Sequence, residues 1–503
     1  MLGSPASAAP SADVVRTDKG LVRGVADGAF RVYQGIPYAA PPTGDRRWQP
    51  PQPAAPWSGV REASEPGAMC LQLTPTGDKL ADGSSEDCLY LNVTTPRAAG
   101  KPRPVMVWVH GGGWNSGNGS DYNGRRLAET GDVVVVTVNY RLATMGFFGY
   151  PGLPGSGTYG LADQQAALRW VQANARAFGG DPGNVTLFGE SAGGLSTCSQ
   201  LVSPEAAGLF DRAIIESGSC ETNWPRNLNY PGGEKTEWWA PRREIAARGQ
   251  DEAAKLGCAD LACLRKADPL TLMKATFTQA AYDTPLLPLE PRKALAYGAF
   301  NRVPVMQGNT RDEQAYFGWL YEIDGPMDVA AYRRNIATSF GDRAATVEAE
   351  YPAPAYPAPA YPAPIDAWNA AGTDRGWICP SVRTDRLMAE HVPVYSFSFA
   401  DRTAPAYVYF PPGYTSNAYH SSELPYLFDF GELAALNPAQ AALSQSMLRY
   451  WTNFARTGNP NGAGVPRWSP FRDGLTTQSF QLGGITTVDL DQQHHCGFWS
   501  AQR

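Results

Sequence analysis

The chain has 503 residues, 43% of them hydrophobic and 18% charged, with a formal net charge of -6 at pH 7. That is the composition of an ordinary globular protein, and it excludes the disordered and fibrous classes. The negative balance, with no cluster of Lys and Arg interleaved with aromatics, argues against nucleic acid as a partner. The longest apolar runs are about the length of residues 133–138, far below the roughly 20 residues that a spanning helix requires, so no transmembrane segment is expected.

Residues 1–10 are small and Pro-containing, without a charged n-region or an apolar core. No signal peptide is therefore present as written, yet these residues resemble the mature side of a cleavage site, which predicts a secreted chain. Residues 1–12 are expected to be a disordered lead-in, and 13–503 a single domain. The text of Ala39-Ala40-Pro41-Pro42-Thr43-Gly44 suits loops and short strands, a small antiparallel appendage before the main sheet.

Apolar, largely β-branched runs then follow at 105–109, 133–138, 185–188, 213–215 and 303–306. None alternates with polar residues, which predicts strands covered on both faces. Helix-like segments between them, such as 160–171 with apolar residues three and four apart, make the pattern α/β around a large, mainly parallel sheet. Around 327–390 the text becomes helical and less apolar, interrupted by a Tyr-Pro-Ala-Pro repeat over 351–364. Repeated prolines remove backbone donors and fix φ, so the repeat reads as a stiff extended connector rather than a ligand for a proline-binding module. Asn92, Asn118 and Asn184 match the N-x-Ser/Thr pattern. Two of them precede strand-like residues, which favours a structural role there.

Eight cysteines are compatible with an oxidising compartment. Cys258 and Cys263 are near enough to close a small loop, and Cys70 and Cys88 bracket a polar stretch suited to a disulfide loop. None has zinc-like spacing, and no metal site is expected. Cys198, Cys220, Cys379 and Cys496 are left open, as two further bridges or as buried thiols.

Gly189-Glu190-Ser191-Ala192-Gly193 lies between the apolar run 185–188 and a segment able to open a helix. Such a corner holds a serine in a tight turn, with its Oγ projecting above the sheet and glycines relieving clashes on either side. Serine needs a base, and in this arrangement an acid and then a histidine follow it along the chain. Downstream stand His391, His420, His494 and His495; His110 lies upstream. His391 immediately precedes a strand-like run at 392–397, and His494 and His495 fall in a polar tail. His420, in a small-residue loop leading to an apolar run, is the best-placed base. Asp312 and Glu313 follow the run at 303–306, and the residues alone do not separate them as the acid. His110-Gly111-Gly112-Gly113-Trp114 follows the run at 105–109, where glycines can turn amides toward a developing oxyanion, a role worth roughly 2.7–4 kcal/mol per donor.

At these positions the sequence resembles the type-B carboxylesterase family, the cholinesterase-like branch of the α/β-hydrolases, over nearly its whole length. The resemblance is carried by Phe178-Gly179-Gly180-Asp181-Pro182-Gly183-Asn184-Val185-Thr186-Leu187-Phe188-Gly189-Glu190-Ser191-Ala192-Gly193-Gly194, by Ser85-Glu86-Asp87-Cys88-Leu89-Tyr90-Leu91-Asn92-Val93 and by the region of Arg47-Trp48. It implies an α/β-hydrolase fold, Glu313 as the acid, His420 as the base, and the amides of Gly112, Gly113 and Ala192 as oxyanion donors. It also implies the pairs Cys70 with Cys88 and Cys258 with Cys263, and matches Ser217 to a second serine near the triad.

One departure bears on substrate. Cholinesterases carry a tryptophan for quaternary ammonium in the first disulfide loop, whereas no aromatic residue lies between Cys70 and Cys88 here. The cation-π site is therefore missing, and the chain is closer in character to microbial general carboxylesterases. The expected activity is hydrolysis of small carboxylic esters through an acyl-enzyme on Ser191, with no cofactor and no metal required. A lipase for long-chain acylglycerols and a non-catalytic binding or adhesion homologue are the alternatives. Retention of Ser191, Glu313 and His420 argues against the second.

Overall fold

The computed structural model describes residues 13–98, 100–275, 277–353, 363–472 and 476–502. The expected disordered lead-in, 1–12, lies outside them. Eleven strands form the central sheet: β1 (Val25–Asp27), β2 (Phe30–Pro37), β3 (Tyr90–Pro96), β4 (Arg103–Val109), β5 (Val134–Val138), β6 (Gly180–Glu190), β7 (Arg212–Glu216), β8 (Val305–Thr310), β9 (Val394–Phe399), β10 (Thr477–Gln481) and β11 (Gly484–Val488). Across the sheet they run β11-β10-β9-β8-β7-β6-β4-β5-β3-β2-β1. From β5 to β10 every neighbouring pair is parallel, and antiparallel strands close both edges. A separate three-stranded sheet at the N-terminal side pairs Val14–Arg16 antiparallel with Leu21–Arg23, which Val60–Glu62 joins in parallel.

The absence of polar alternation in the strands has a direct cause. Successive side chains leave a strand on opposite faces, and both faces here are covered. Val105, Val107 and Val109 of β4 enter one apolar core together with Leu187 and Ile215. Met106 and Trp108 enter the other, against Leu448, Trp451 and Phe454 of the long helix Pro438–Thr457. Each fully buried side chain of this size contributes about 1.5–3 kcal/mol. The helix α1 (Tyr159–Asn174) covers the first core, and α2 (Ala192–Leu201) leaves directly from the end of β6.

Several expectations need adjustment. Val303 and Pro304 precede β8 instead of opening it, since proline has no N–H for the ladder and contributes its carbonyl, which accepts from Ala213 N at 3.1 Å. Likewise Val392 and Pro393 precede β9. The segment 327–390 holds the helices Val329–Phe340, Ala344–Glu350, α3 (Pro364–Thr373) and α4 (Cys379–Ala389). Within the repeat, residues 354–362 lie outside the described residues. Its ends are not extended connector: Tyr351 is fully buried, and Pro364 starts α3, where a missing N–H is harmless. The supposed polar tail forms two short helices, Leu490–Gln493 and Cys496–Ala501, and His494 is buried.

Four disulfides link Cys70 to Cys88, Cys198 to Cys220, Cys258 to Cys263 and Cys379 to Cys496, so the four cysteines left open are bridged in two pairs. Asn92 and Asn184 lie within β3 and β6, bonded to Thr137 and Arg212 respectively, and Asn118 caps a helical turn by accepting from Ser120 N. No helix among the described residues is long and apolar enough to cross a membrane.

Candidate active site

Ser191 stands at the corner between β6 and α2 with φ 56° and ψ -121°. A non-glycine residue in such a region costs of order 1–3 kcal/mol, and it persists because the surroundings over-determine it. Ser191 N donates to Glu216 O at 2.9 Å, and Ser191 O accepts from Leu195 N at 2.9 Å. The turn passes so close to β4 that a Cβ on Gly193 would overlap the Val109 carbonyl oxygen, so glycine is required there.

His420 is 4% exposed. Its Nδ1 meets Glu313 Oε2 at 2.5 Å, and its backbone N donates to Glu313 O at 3.3 Å. The other carboxylate oxygen, Glu313 Oε1, accepts from Asn309 Nδ2 and Thr310 N, each at 3.0 Å. The fully buried Glu313 carboxylate is thus fixed by the end of β8 and aimed at the imidazole. Asp312 turns elsewhere. It accepts two bonds from Arg402, at 2.6 and 2.9 Å, and one from Ala418 N at 3.2 Å. That strut anchors the loop two residues ahead of His420.

The glycine loop after β4 takes conformations that side chains resist. Gly112 and Gly113 have φ of 93° and 62°, and a Cβ on Gly112 would overlap Ser116 O. Among the described residues the amides of Gly112, Gly113 and Ala192 donate no loop or cap hydrogen bond. His110 anchors the loop, its Nδ1 donating to Gly111 O at 2.9 Å while its ring stacks on Tyr140. Burial pushes the His110 pKa down to about 4, so it stays neutral while holding the loop.

Gly112, Gly113, Ser191 and His420 line one cavity of about 490 Å³. Its aromatic lining is Tyr122, Trp224, Tyr230, Trp238, Tyr316, Phe317, Trp377 and Tyr407, beside polar residues such as Asn115, Asn229, Thr236 and Thr278. Trp377 packs on the His420 ring at 4.5 Å between centroids. Ala192 and Glu313 stand directly behind the lining. Ser217 is not brought to the cavity; it is fully buried, with φ 50°, its N donating to Gly308 O at 2.8 Å.

Three buried carboxyl groups near the imidazole have no counterpart in the sequence reading. Glu190 Oε1 lies 3.1 Å from His420 Nε2. Glu216 accepts from Trp451 Nε1 at 3.0 Å, and neither oxygen of Glu423 has a partner among the described residues. Burial, reinforced by mutual repulsion, raises the pKa of Glu190 and Glu423 well above the usual carboxyl range, and burial pushes Glu216 up to about 8. Burial thus disfavours the charged form of all three, which limits negative charge around the imidazole. Glu190 lies within the motif itself, but positions 216 and 423 carry no local signal.

The carboxylesterase family model matches residues 11–499. The para-nitrobenzyl esterase of Bacillus subtilis is 34% identical over 510 residues, covering 95% of this chain and 96% of that protein. The precursor of the medium-chain fatty acyl-CoA hydrolase of Anas platyrhynchos is 35% identical, covering 91% of this chain and 86% of that protein. Among solved structures, a thermophilic PNB esterase superposes with a TM-score of 0.79 at 31% identity, covering 97% of this chain and all of that one. With a sheet, a serine corner and full-length relatives of one kind, the chain belongs to the carboxylesterase family and is a carboxylic-ester hydrolase of the serine esterase type, on the α/β-hydrolase fold.

Proposed function

We propose that Ser191 is the nucleophile, His420 the general base and acid, Glu313 the group that orients His420, and the amides of Gly112, Gly113 and Ala192 the oxyanion donors. The observation that carries this reading is the 2.5 Å bond from a fully buried carboxylate to the imidazole in the cavity that Ser191 lines. Ser191 Oγ attacks the ester carbonyl as His420 takes its proton, and the carbonyl oxygen becomes an anion facing amides that have no loop partner. His420 protonates the departing alcohol, leaving an acyl-serine. Water then repeats the sequence and frees the acid. Glu313 keeps Nδ1 protonated, so that Nε2 is the atom that receives the serine proton.

Glu190 lies within reach of the same Nε2. Burial and the neighbouring carboxyl groups disfavour its charged form, which weakens any attraction that would hold the imidazolium and slow proton return. Ser217 takes a supporting role in this reading, tying the turn after β7 to Gly308 beneath the corner. Residues 13–503 act as one catalytic domain, with the helices around 327–390 as an insertion flanking the cavity. The four disulfides favour a secreted enzyme, because such bonds persist in oxidising compartments. The substrate is a small ester rather than a long-chain acylglycerol: the cavity has the volume of a small-molecule site. A panel of acetate, butyrate and laurate esters tests this. Turnover should fall with acyl length, and a rate that rises only above substrate solubility would favour the lipase alternative.

A further inference from the structure

A second cavity, of about 480 Å³, shares no lining residue with the one that holds Ser191, yet the same two chain segments reach both. Arg311 and Asp312 border it directly ahead of Glu313, and Asn417 borders it on the loop that leads to His420. The remaining titratable groups of its lining are Asp366, Asp374, Arg402 and His494.

The charged groups of this lining are matched, with one exception. Asp312 takes both bonds from Arg402, at 2.6 and 2.9 Å. Asp374 accepts from His494 Nδ1 and from the Tyr351 hydroxyl, each at 2.7 Å. Asp366 caps its own helix by accepting from Ala363 N at 3.0 Å, and burial raises its pKa. Arg311 is partly buried, and among the described residues it has no ion pair and no side-chain hydrogen bond. The backbone fixes it in this position. Arg311 N donates to Phe399 O at 2.8 Å, so the chain leaves β8 beside the end of β9, three residues ahead of Arg402. Two guanidinium groups therefore share the cavity, and burial together with repulsion from Arg402 lowers the pKa of Arg311. The buried His494 Nε2 is also without a partner among the described residues, a state that polar atoms rarely keep unless something polar reaches them.

One unmatched cation in a polar cavity complements one negative charge. A carboxylate supplies it on two parallel acceptor atoms that match the guanidinium fork. A dianion such as phosphate would bring a second charge against Asp312 and Asp374. A carboxylic-ester hydrolase releases a carboxylate at every turnover, so the matching ligand class is also that of its product.

We propose that this cavity is a second binding site, in which Arg311 holds a small monocarboxylate of the kind that ester hydrolysis releases, and that its occupancy is felt at the His420 loop. The route between them is short. The bound charge offsets the repulsion between Arg311 and Arg402, and Arg402 holds Asp312. Asp312 in turn holds Ala418 twice, its carboxylate accepting from Ala418 N at 3.2 Å and its own N donating to Ala418 O at 2.9 Å. His420 follows two residues later.

The test titrates the full chain with sodium propionate and follows the melting temperature, with sodium chloride holding ionic strength constant. A saturable rise is expected in the parent, and none with propionamide, which has the same shape without the charge. In Arg311→Gln the apparent Kd should weaken by about ten- to a hundredfold, the value of a hydrogen bond to a charged group, while Arg311→Lys should keep part of the affinity. Ser191→Ala should respond as the parent does. An equal response in the parent and Arg311→Gln, or its loss in Ser191→Ala alone, would overturn the site. A larger response to sodium phosphate than to propionate would overturn the choice of a carboxylate. The second readout is kcat at saturating p-nitrophenyl acetate, which rests on the assignment of Ser191 and His420 where the melting curves do not. In that mechanism the acid leaves last, so propionate acting only at Ser191 raises the apparent KM and leaves kcat unchanged. In the parent, kcat should shift with the same dependence on propionate concentration as the melting temperature, and in Arg311→Gln it should stay fixed. Purely competitive inhibition in the parent would overturn the coupling to His420 and leave the binding site standing.

Discussion

Two histidine–carboxylate pairs lie in this molecule, and they are alike at first sight. His420 Nδ1 meets Glu313 at 2.5 Å, and His494 Nδ1 meets Asp374 at 2.7 Å, with all four residues buried. Their surroundings differ. Glu313 gives its second oxygen to the end of β8, and the imidazole shares a cavity with a serine corner and a glycine loop. Asp374 gives its second oxygen to Tyr351, whose hydroxyl also accepts from Trp499, and the Cys379–Cys496 disulfide joins the same two chain segments. One pair lies at the cavity that Ser191 lines, and the other binds the C-terminal helices to the π-helical turn after α3. A charge-assisted bond of this kind is a general way to fix an imidazole. Its role follows from what the free nitrogen faces.

The comparison can be broken most decisively at the serine. Ser191→Ala should lower kcat at least about 10⁴-fold, because members of such a triad act as a unit, while circular dichroism shows an unchanged fold. The two carboxylates should then separate. Glu313→Gln is expected to lower kcat by about 10³–10⁴-fold with little change in stability relative to its effect on rate. Asp374→Asn should leave kcat within about threefold and instead lower unfolding free energy by about 1–3 kcal/mol, the scale for a disturbed buried hydrogen-bond set, measured by denaturant titration. On kcat, an effect between those of Glu313→Gln and Asp374→Asn is expected at Asp312→Asn. The Arg402 pair is lost and the bond from Ala418 weakens, so kcat should fall by about tenfold or less through misplacement of the His420 loop.

The smallest effect concerns pH. Burial raises Glu216 from 4.5 to about 8, so the folded state binds its proton more tightly than the unfolded chain. That contribution is fully present below about pH 4.5, and it is lost as pH rises toward and through 8. Glu216→Gln should therefore flatten the fall in stability across that window, as read from melting temperature against pH. A parallel fall in parent and variant would contradict the assigned cause.

Much of the candidate site was legible in the sequence because its signals are local. An unbroken apolar strand, a glycine on either side of Ser191 and a helix start within a dozen residues of one another specify the corner. The choice between Asp312 and Glu313 was not legible from adjacency, since both follow β8. The family resemblance pointed to Glu313, and the backbone geometry turns that residue toward His420 and Asp312 toward Arg402. What escaped depends on distant partners. The stretch Asp491-Gln492-Gln493-His494-His495 has the composition of an exposed tail, yet a disulfide spanning 117 positions draws it against α4 and buries His494. Glu216 and Glu423 lie on separate elements, and each alone reads as an ordinary surface carboxylate. Proline marked strand limits that the apolar runs overran, at Pro304 and Pro393.

The most direct test of the account is acylation by p-nitrophenyl acetate followed in the first turnover. The prediction is a burst of about one equivalent of nitrophenol per chain in the parent, with the acetyl group found by mass spectrometry on the peptide carrying Ser191, and no burst in Ser191→Ala. An acetyl group on another residue, or a burst that survives the substitution, would contradict it.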